Sequence, residues 1–346
     1  KGQAAFEQPT KPGDRPRITG KLQVGELDLS KRRLRADNSA EMESSPETKN
    51  KEIKNRKIFS SEPLPFGPLK TVDADIEVTV ESLTTLEFQL EDLVAGLNLD
   101  NGQLSVKPLK AKVGNGTFEG IITLDARNRP AAWIADVEMR DATIRNFGGK
   151  IHFLVDMKGS GDSIAAIMAG SEGQLKFEVH EATLKKSLMT GFGSSLLDSL
   201  NPFTKDKEET ELICAIILFD IEDGVADANR KIAAQMTDVT WLGSGEINLK
   251  TEEIDFGMNP KPRKGVGISV GGLAKLMHVG GTLAKPKIEL DPKDIAVKYG
   301  KYAAAVSTGG LSLVADMLWG KIKANTDVCA KILEKLDSKK NLKKKK

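Results

Sequence analysis

The residues of this chain whose types could do chemistry are three histidines, two cysteines and several adjacent acidic pairs. A metal centre needs His, Cys or carboxylate donors at short recurrent spacings. His152, His180 and His278 each stand alone, with no second His or Cys at such a spacing, so no metal site is expected. A glycosidase would set two carboxylates across a scissile bond. Glu91-Asp92, Glu222-Asp223 and Glu252-Glu253 fall instead at turns or strand edges, where solvated charge is the ordinary state. The chain has no Gly-x-Ser-x-Gly elbow and no Gly-Lys-Ser or Gly-Lys-Thr to close a phosphate loop. Gly265-Val266-Gly267 followed by Gly271-Gly272 has the wrong spacing for a dinucleotide loop, and Ile268 to Val270 continues as strand. The chain therefore reads as neither an enzyme nor a cofactor carrier. Cys214 and Cys329 permit one disulfide in an oxidising compartment, with two buried free thiols as the alternative.

The elements that must position these residues are strands. Leu86, Phe88 and Leu90 alternate with Glu87, Gln89 and Glu91, and Ile76, Val78 and Val80 alternate with Glu77, Thr79 and Glu81. Period-two alternation puts the apolar set on one face of a strand. The same parity collects Leu104 and Val106, then Phe118, Ile122 and Leu124, then Trp133 and Val137. It continues through Ile151, Phe153 and Val155, through Leu175, Phe177 and Val179, and ends with Ile247, Leu249, Ile254, Phe256, Ile268 and Val270. These residues are the candidate wall of one apolar face. Between 211 and 221 the parity fails, because Leu212, Cys214, Ile216 and Leu218 face one way while Ile213, Ile217, Phe219 and Ile221 face the other. A strand of that kind is covered on both faces, and a helix packed outside it, from 187–200 or from the C-terminal pair, would supply the cover.

Turn signals such as Asp100-Asn101-Gly102, Gly114-Asn115-Gly116, Asn128-Arg129-Pro130, Gly148-Gly149 and Glu222-Asp223-Gly224 separate the strands by short spacings. Short connections favour antiparallel meanders. The expected fold is mainly β, an elongated antiparallel sheet curled into an open groove, with a short amphipathic helix and C-terminal helices. Residues 1–15 read as a polar tail, 16–30 as the end of an upstream β region, 31–57 as a charged linker, and 58–294 as the β-groove domain. Within that domain Leu188, Phe192, Leu196 and Leu200 form an apolar stripe on a helix over 187–200, which caps the sheet or gates it. Residues 295–336 read as two helices with Asn325-Thr326-Asp327 between them, and 337–346 as a Lys-rich tail that solvates or touches anionic headgroups.

Composition narrows the partners. The 346 residues carry 51 Lys plus Arg against 49 Asp plus Glu, so no net field draws nucleic acid, and aromatics at 5% offer few stacking platforms. No stretch is long and apolar enough to span a bilayer. The first residue is Lys1, and the chain reads as a fragment or processed form.

Phe59-Ser60-Ser61-Glu62-Pro63-Leu64-Pro65, followed by Leu69 and Asp73-Ala74-Asp75, resembles the entry to the C-terminal region of the AsmA family of bacterial envelope proteins. Asp100-Asn101-Gly102-Gln103-Leu104 with Pro108-Leu109, and Gly114-Asn115-Gly116-Thr117-Phe118-Glu119-Gly120, are similar to that family's next two turns. Leu212-Ile213-Cys214 with Gly224-Val225, Gly243-Ser244-Gly245-Glu246-Ile247-Asn248-Leu249, and Val279-Gly280-Gly281-Thr282-Leu283-Ala284-Lys285-Pro286 continue the resemblance in order, over about 59–290. The resemblance implies a periplasmic protein anchored in the inner membrane by an N-terminal segment. It also implies a lipid-transfer role, in which a β-groove holds phospholipid acyl chains at the membrane surface and envelope proteins are possible partners. Acyl chains bury at about 0.8 kcal/mol per methylene, so an unfilled apolar wall suffices and no chemistry is needed. A structural or assembly factor with a closed sandwich core is the rival. A carbohydrate-active β-protein ranks third, since a sugar site wants exposed aromatics and the chain offers only Trp133, Trp241, Trp319, Tyr299 and Tyr302 beyond the phenylalanines.

Overall fold

The computed structural model describes residues 2–8, 14–30, 57–85, 88–143, 148–185, 209–263, 277–289 and 327–334. Sixteen strands make one hydrogen-bonded sheet. They are β1 (Gly2–Glu7), β2 (Arg17–Asp28), β3 (Asp73–Thr84), β4 (Gln89–Asp100), β5 (Gln103–Val113), β6 (Gly116–Asp125), β7 (Ala132–Thr143) and β8 (Lys150–Ser160), then β9 (Glu172–Lys185), β10 (Glu209–Glu222), β11 (Val225–Asp227), β12 (Ile232–Met236), β13 (Val239–Asn248), β14 (Glu253–Pro262), β15 (Met277–Thr282) and β16 (Lys285–Glu289). Neighbours follow chain order from β1 to β11 and on through β13 to β16, while β12 pairs with β10 and β13. The order runs from one edge to the other without closing. Two short helices are described, α1 (Ile164–Ala169) and α2 over 328–334.

The chain divides into two compact units. Unit 1 comprises Lys1–Asn146, Val155–Gly173 and Leu249–Glu252; unit 2 comprises Phe147–Leu154, Gln174–Asn248 and Glu253–Lys346.

In unit 1 the hairpins follow the turn chemistry. Asn101 at φ 49 and Gly102 at φ 80 both take the left-handed conformation that a two-residue hairpin turn of the right twist demands. The pairings from β3 to β7 are antiparallel, but β2 and β3 run parallel, with Arg17 beside Asp73 and Asp28 beside Thr84. A parallel pair needs a long crossover. The described part of that crossover, 57–72, includes a 3-10 turn (Pro68–Lys70). Residues 2–7, read from sequence within a polar tail, are instead β1, which pairs antiparallel with β2 from Gly2 opposite Leu22 to Glu7 opposite Arg17. The reason is that Ala4 and Phe6 fall on one side of the strand, opposite Gly20 and Ile18, and find a ready ladder on β2.

Register runs two bulges through this unit. Pairing of β4 with β5 passes from Glu91 opposite Lys112 to Val94 opposite Lys110, around Asp92 at φ 52. Pairing of β5 with β6 passes from Val106 opposite Ile122 to Leu109 opposite Gly120, around Lys107-Pro108. Each extra residue reverses the parity of one strand relative to its partner, and proline is tolerated at such a bulge because no ladder donor is needed there.

In unit 2 the sheet is packed on both faces from β10 to β13. Cys214, Ile216, Ala233 and Leu242 form one cluster with Val328, Cys329 and Ile332 of α2, and Leu333 packs beside it. Asp327 caps α2, its Oδ1 accepting from the Ala330 N–H at 2.9 Å. The cover expected outside 211–221 therefore comes from the C-terminal helix over Cys214 and Ile216. On the opposite face Phe219, Ile221, Ala226, Ile232 and Trp241 are buried, Trp241 to 2% exposure. Ile213, at the start of that stretch, stays exposed.

Glu246 lies opposite Asp255 on one side and Asp227 on the other. Burial, then these two carboxylates, push its carboxyl above the ordinary value. A carboxyl raised in the folded state stabilises least when charged, so this contribution is lost as pH rises through the ordinary Glu value of about 4.3 toward the raised one. Glu246→Gln should raise Tm at neutral pH, with the gain gone below about pH 4; thermal melts at the two pH values check it.

Candidate functional site

The register of unit 1 puts the predicted wall residues of β3 to β7 on one face. Ile76, Val78 and Val80 pair with Leu97, Ala95 and Leu93. Leu97 pairs with Val106 and Leu99 with Leu104. Val106 and Leu104 lie opposite Ile122 and Leu124, and Phe118 lies opposite Ala111. Ile122, Leu124 and Gly120 then meet Ala135, Trp133 and Val137. Leu90 rejoins the face through the bulge at Asp92, pairing with Val113. Phe88 lies just before β4, its backbone N–H donating to Thr85 Oγ1 at 3.1 Å.

The face extends beyond the sequence reading. Ile18, Leu22 and Val24 of β2 stand beside Ala74, Val78 and Val80, and Phe6 and Ala4 of β1 lie opposite Ile18 and Gly20. Leu93, Ala95, Leu97 and Leu99 were also missed. Their alternation is visible in the sequence, but it is out of phase with Leu86, Phe88 and Leu90 until the bulge is known. The apolar face is open in several places: Phe6 keeps 62% of its surface exposed, Leu22 45% and Ile122 37%. A filled core would leave such residues almost no exposed surface.

The other face of the same strands is polar. Lys21 pairs with Glu77 at 3.1 Å, and Arg140 reaches Glu119 at 3.5 Å and also binds Glu138. Ile121 and Ile134 are its exposed apolar exceptions. A sheet with one charged and one open apolar face is amphipathic.

Trp133 lies against Gly159, whose missing side chain makes room for the indole: a Cβ there would sit 2.9 Å from Trp133 Nε1. The indole N–H is buried without a hydrogen-bond partner. Gly159→Val should displace Trp133 from the face and destabilise unit 1 by about 1–3 kcal/mol, the usual cost of overpacking; a denaturant midpoint and the tryptophan emission maximum report both effects.

The remaining predicted wall residues belong elsewhere. Val155 groups with unit 1. In unit 2, Ile247 lies opposite Ile254 and Gly245 opposite Phe256; the Phe256 ring meets Phe219 with centroids 6.0 Å apart. Leu249, in the turn after β13, groups with unit 1 and is buried. Ile151 and Val179 are buried, Phe153 and Leu175 half-buried, and Phe177 exposed. Ile268, Val270 and the candidate gate residues Leu188, Phe192, Leu196 and Leu200 lie outside the described residues.

The three histidines and two cysteines all fall in unit 2. His152 and His180, read as solitary, meet edge to face with ring centroids 5.5 Å apart, because β8 and β9 are neighbours in the sheet. Glu178, buried beside them, accepts from Lys176 at 2.6 Å and lies 3.1 Å from His180 Nε2. Burial pushes its carboxyl up, but the hydrogen bonds from Lys176 and His180 outweigh that and hold it below the ordinary value. His278 Nε2 lies 2.8 Å from Asp255 Oδ1. Cys214 and Cys329 are joined by a disulfide. Asp327 lies beside that pair, but cysteines so bonded carry no thiolate for a metal. Among the described residues no helix is long and apolar enough to cross a membrane.

Comparison with known proteins adds the family. The chain is similar to the AsmA family protein YhjG of Escherichia coli (strain K12), 22% identical over 315 residues that cover 85% of this chain and 45% of that relative. The chain thus spans under half the length of the relative. No solved structure matches it. A match to the AsmA family model covers residues 2–230, from β1 through β11 and so the whole of the open apolar face, and the chain belongs to the AsmA family.

Proposed function

We propose that this protein is a lipid-binding or lipid-transfer protein of the bacterial envelope and that the apolar face of β1 to β7 holds the acyl chains of phospholipid. AsmA family proteins are bacterial envelope proteins and are not known as enzymes. The observation that carries the reading is the continuous apolar face of unit 1, partly open at Phe6, Leu22 and Ile122 and backed by a charged face. Each methylene buried there contributes about 0.8 kcal/mol, so a chain of ordinary length binds without any polar anchor. Headgroups stay at the rim in water. Lipid moves along the face down its gradient, and no covalent step is required.

In this reading the protein works in the periplasm, tethered to the inner membrane, at membrane surfaces and beside envelope protein partners. The Cys214–Cys329 disulfide supports an oxidising compartment. The role in outer-membrane lipid homeostasis belongs to the same proposal. Native mass spectrometry of the purified chain, with organic extraction of what co-purifies, tests it: phospholipid in fixed stoichiometry supports the reading, and a folded, lipid-free protein opposes it.

A second reading has an observation of its own. From β10 to β13 unit 2 buries both faces of its sheet, as a closed structural module does. On that reading the chain is a non-enzymatic assembly factor, and a lipid-free protein that captures an envelope protein would favour it.

A further inference from the structure

Residues 57–72 return the chain to β3, and they are held at several points within unit 1. Glu252, 2% exposed, accepts the Ile58 N–H on Oε2 at 2.7 Å and the Phe59 N–H on Oε1 at 2.9 Å. Ser60 O accepts from Ala165 N–H at 2.9 Å, and the Leu64 N–H donates to Asp162 O at 2.8 Å. Lys70 Nζ donates to Arg127 O at 3.3 Å. Between these ties Phe66 is buried against Ala126 and Ala131, with Leu64, Leu69 and Leu124 packed around it.

Leu124 belongs to the apolar face, paired with Leu104 and Trp133. Phe66 therefore abuts one end of that face, at the turn between β6 and β7. A connection needed only for reach would be a solvated loop. This one turns Leu64, Phe66 and Leu69 onto the end of the face and is fastened by a buried carboxylate that takes two backbone donors, an arrangement stronger than neutral hydrogen bonds.

We propose that residues 57–72 are a stop across this end of the apolar face, that Phe66 sets how far an acyl chain extends along it, and that Glu252 holds the stop in place. The proposal rests on the acyl-chain reading above. The methyl end of a bound chain meets the Phe66 ring, and the polar end lies away from it.

The test uses the full chain and saturated fatty acids of graded length, with binding measured by competition against a fluorescent fatty acid. Affinity of the unaltered protein should rise about fourfold with each added methylene, the equivalent of about 0.8 kcal/mol, up to a cut-off length. Phe66→Ala should move the cut-off to longer chains by one or more methylenes. Phe66→Leu, which keeps an apolar filling, should move it less and guards against misfolding of the alanine variant. A cut-off that stays put in both folded variants, or no cut-off at all in the unaltered protein, overturns the stop while leaving acyl binding intact. No binding of any fatty acid overturns the acyl reading itself. Hydrogen exchange tests the fastening without any lipid: Glu252→Gln can accept only one of the two donors, so exchange in 57–72 should quicken about tenfold or more. Unchanged protection there overturns the role given to Glu252.

Discussion

On the acyl-chain reading, replacing Ile122 by Asp is expected to strip lipid from the protein while leaving it folded. Ile122 lies on the apolar face between Val106 and Ala135, yet keeps 37% of its surface exposed. A carboxylate there stays wet in the empty protein, so the fold loses at most about 1 kcal/mol of strand preference and side-chain contact. Under a bound acyl chain the same carboxylate must desolvate without a partner, at a cost of several kcal/mol. Affinity should fall by about 100-fold or more, since each 1.4 kcal/mol is tenfold. The control is Leu218→Asp in unit 2, where the side chain is buried and a charge should unfold the protein. Circular dichroism and lipid content measured on both variants decide the matter. Unfolding by Ile122→Asp would show a filled core on that face, and a folded variant with unchanged lipid would move the binding site elsewhere.

Loss of the disulfide should be the largest stability effect. Cys214 and Cys329 are separated by 115 residues, and both are buried in the cluster that joins α2 to β10, β12 and β13. Closing a loop of that length restricts the unfolded chain by about 4–5 kcal/mol in the chain-entropy model. Cys214→Ser also leaves a hydroxyl among Ile216, Ala233, Leu242 and Ile332, which adds a desolvation cost. The expected loss is about 3–5 kcal/mol, read as a lower denaturant midpoint for the variant, or for the native protein unfolded and refolded under a reductant. Equal midpoints with and without reductant would mean that α2 docks without the bridge. Lipid binding by unit 1 should survive either treatment, because the cluster around the bridge is confined to unit 2.

The apolar face was legible where alternation ran unbroken. Ile76, Val78 and Val80, or Phe118, Ile122 and Leu124, need no more than their own spacing to be placed on a common side of a strand. It was illegible where a bulge intervened: Asp92 and Lys107-Pro108 each insert a residue whose effect depends on the partner strand, so Leu93 to Leu99 and Leu109 to Val113 could not be joined to the face by parity alone. β1 was read as tail because six residues with one large apolar side chain, Phe6, have little strand signal until β2 offers them a ladder. The meeting of His152 with His180 likewise depends on β8 and β9 lying side by side. Phe66 gave no periodic signal, since an aromatic in an irregular connection has no face until the turn it packs against is known.

By itself the sequence determined that this is a β protein with one-sided strands and short hairpin turns. Those properties are local: alternation and left-handed turn residues are written within a few neighbouring positions. Only the tertiary structure decided which strands are neighbours, where parity reverses, which face is left open and which is covered by α2, and that residues 57–72 pack against the turn between β6 and β7. These depend on contacts between residues far apart in the chain, as Ile58 with Glu252 and Cys214 with Cys329, and no local pattern encodes the pairing of such distant partners.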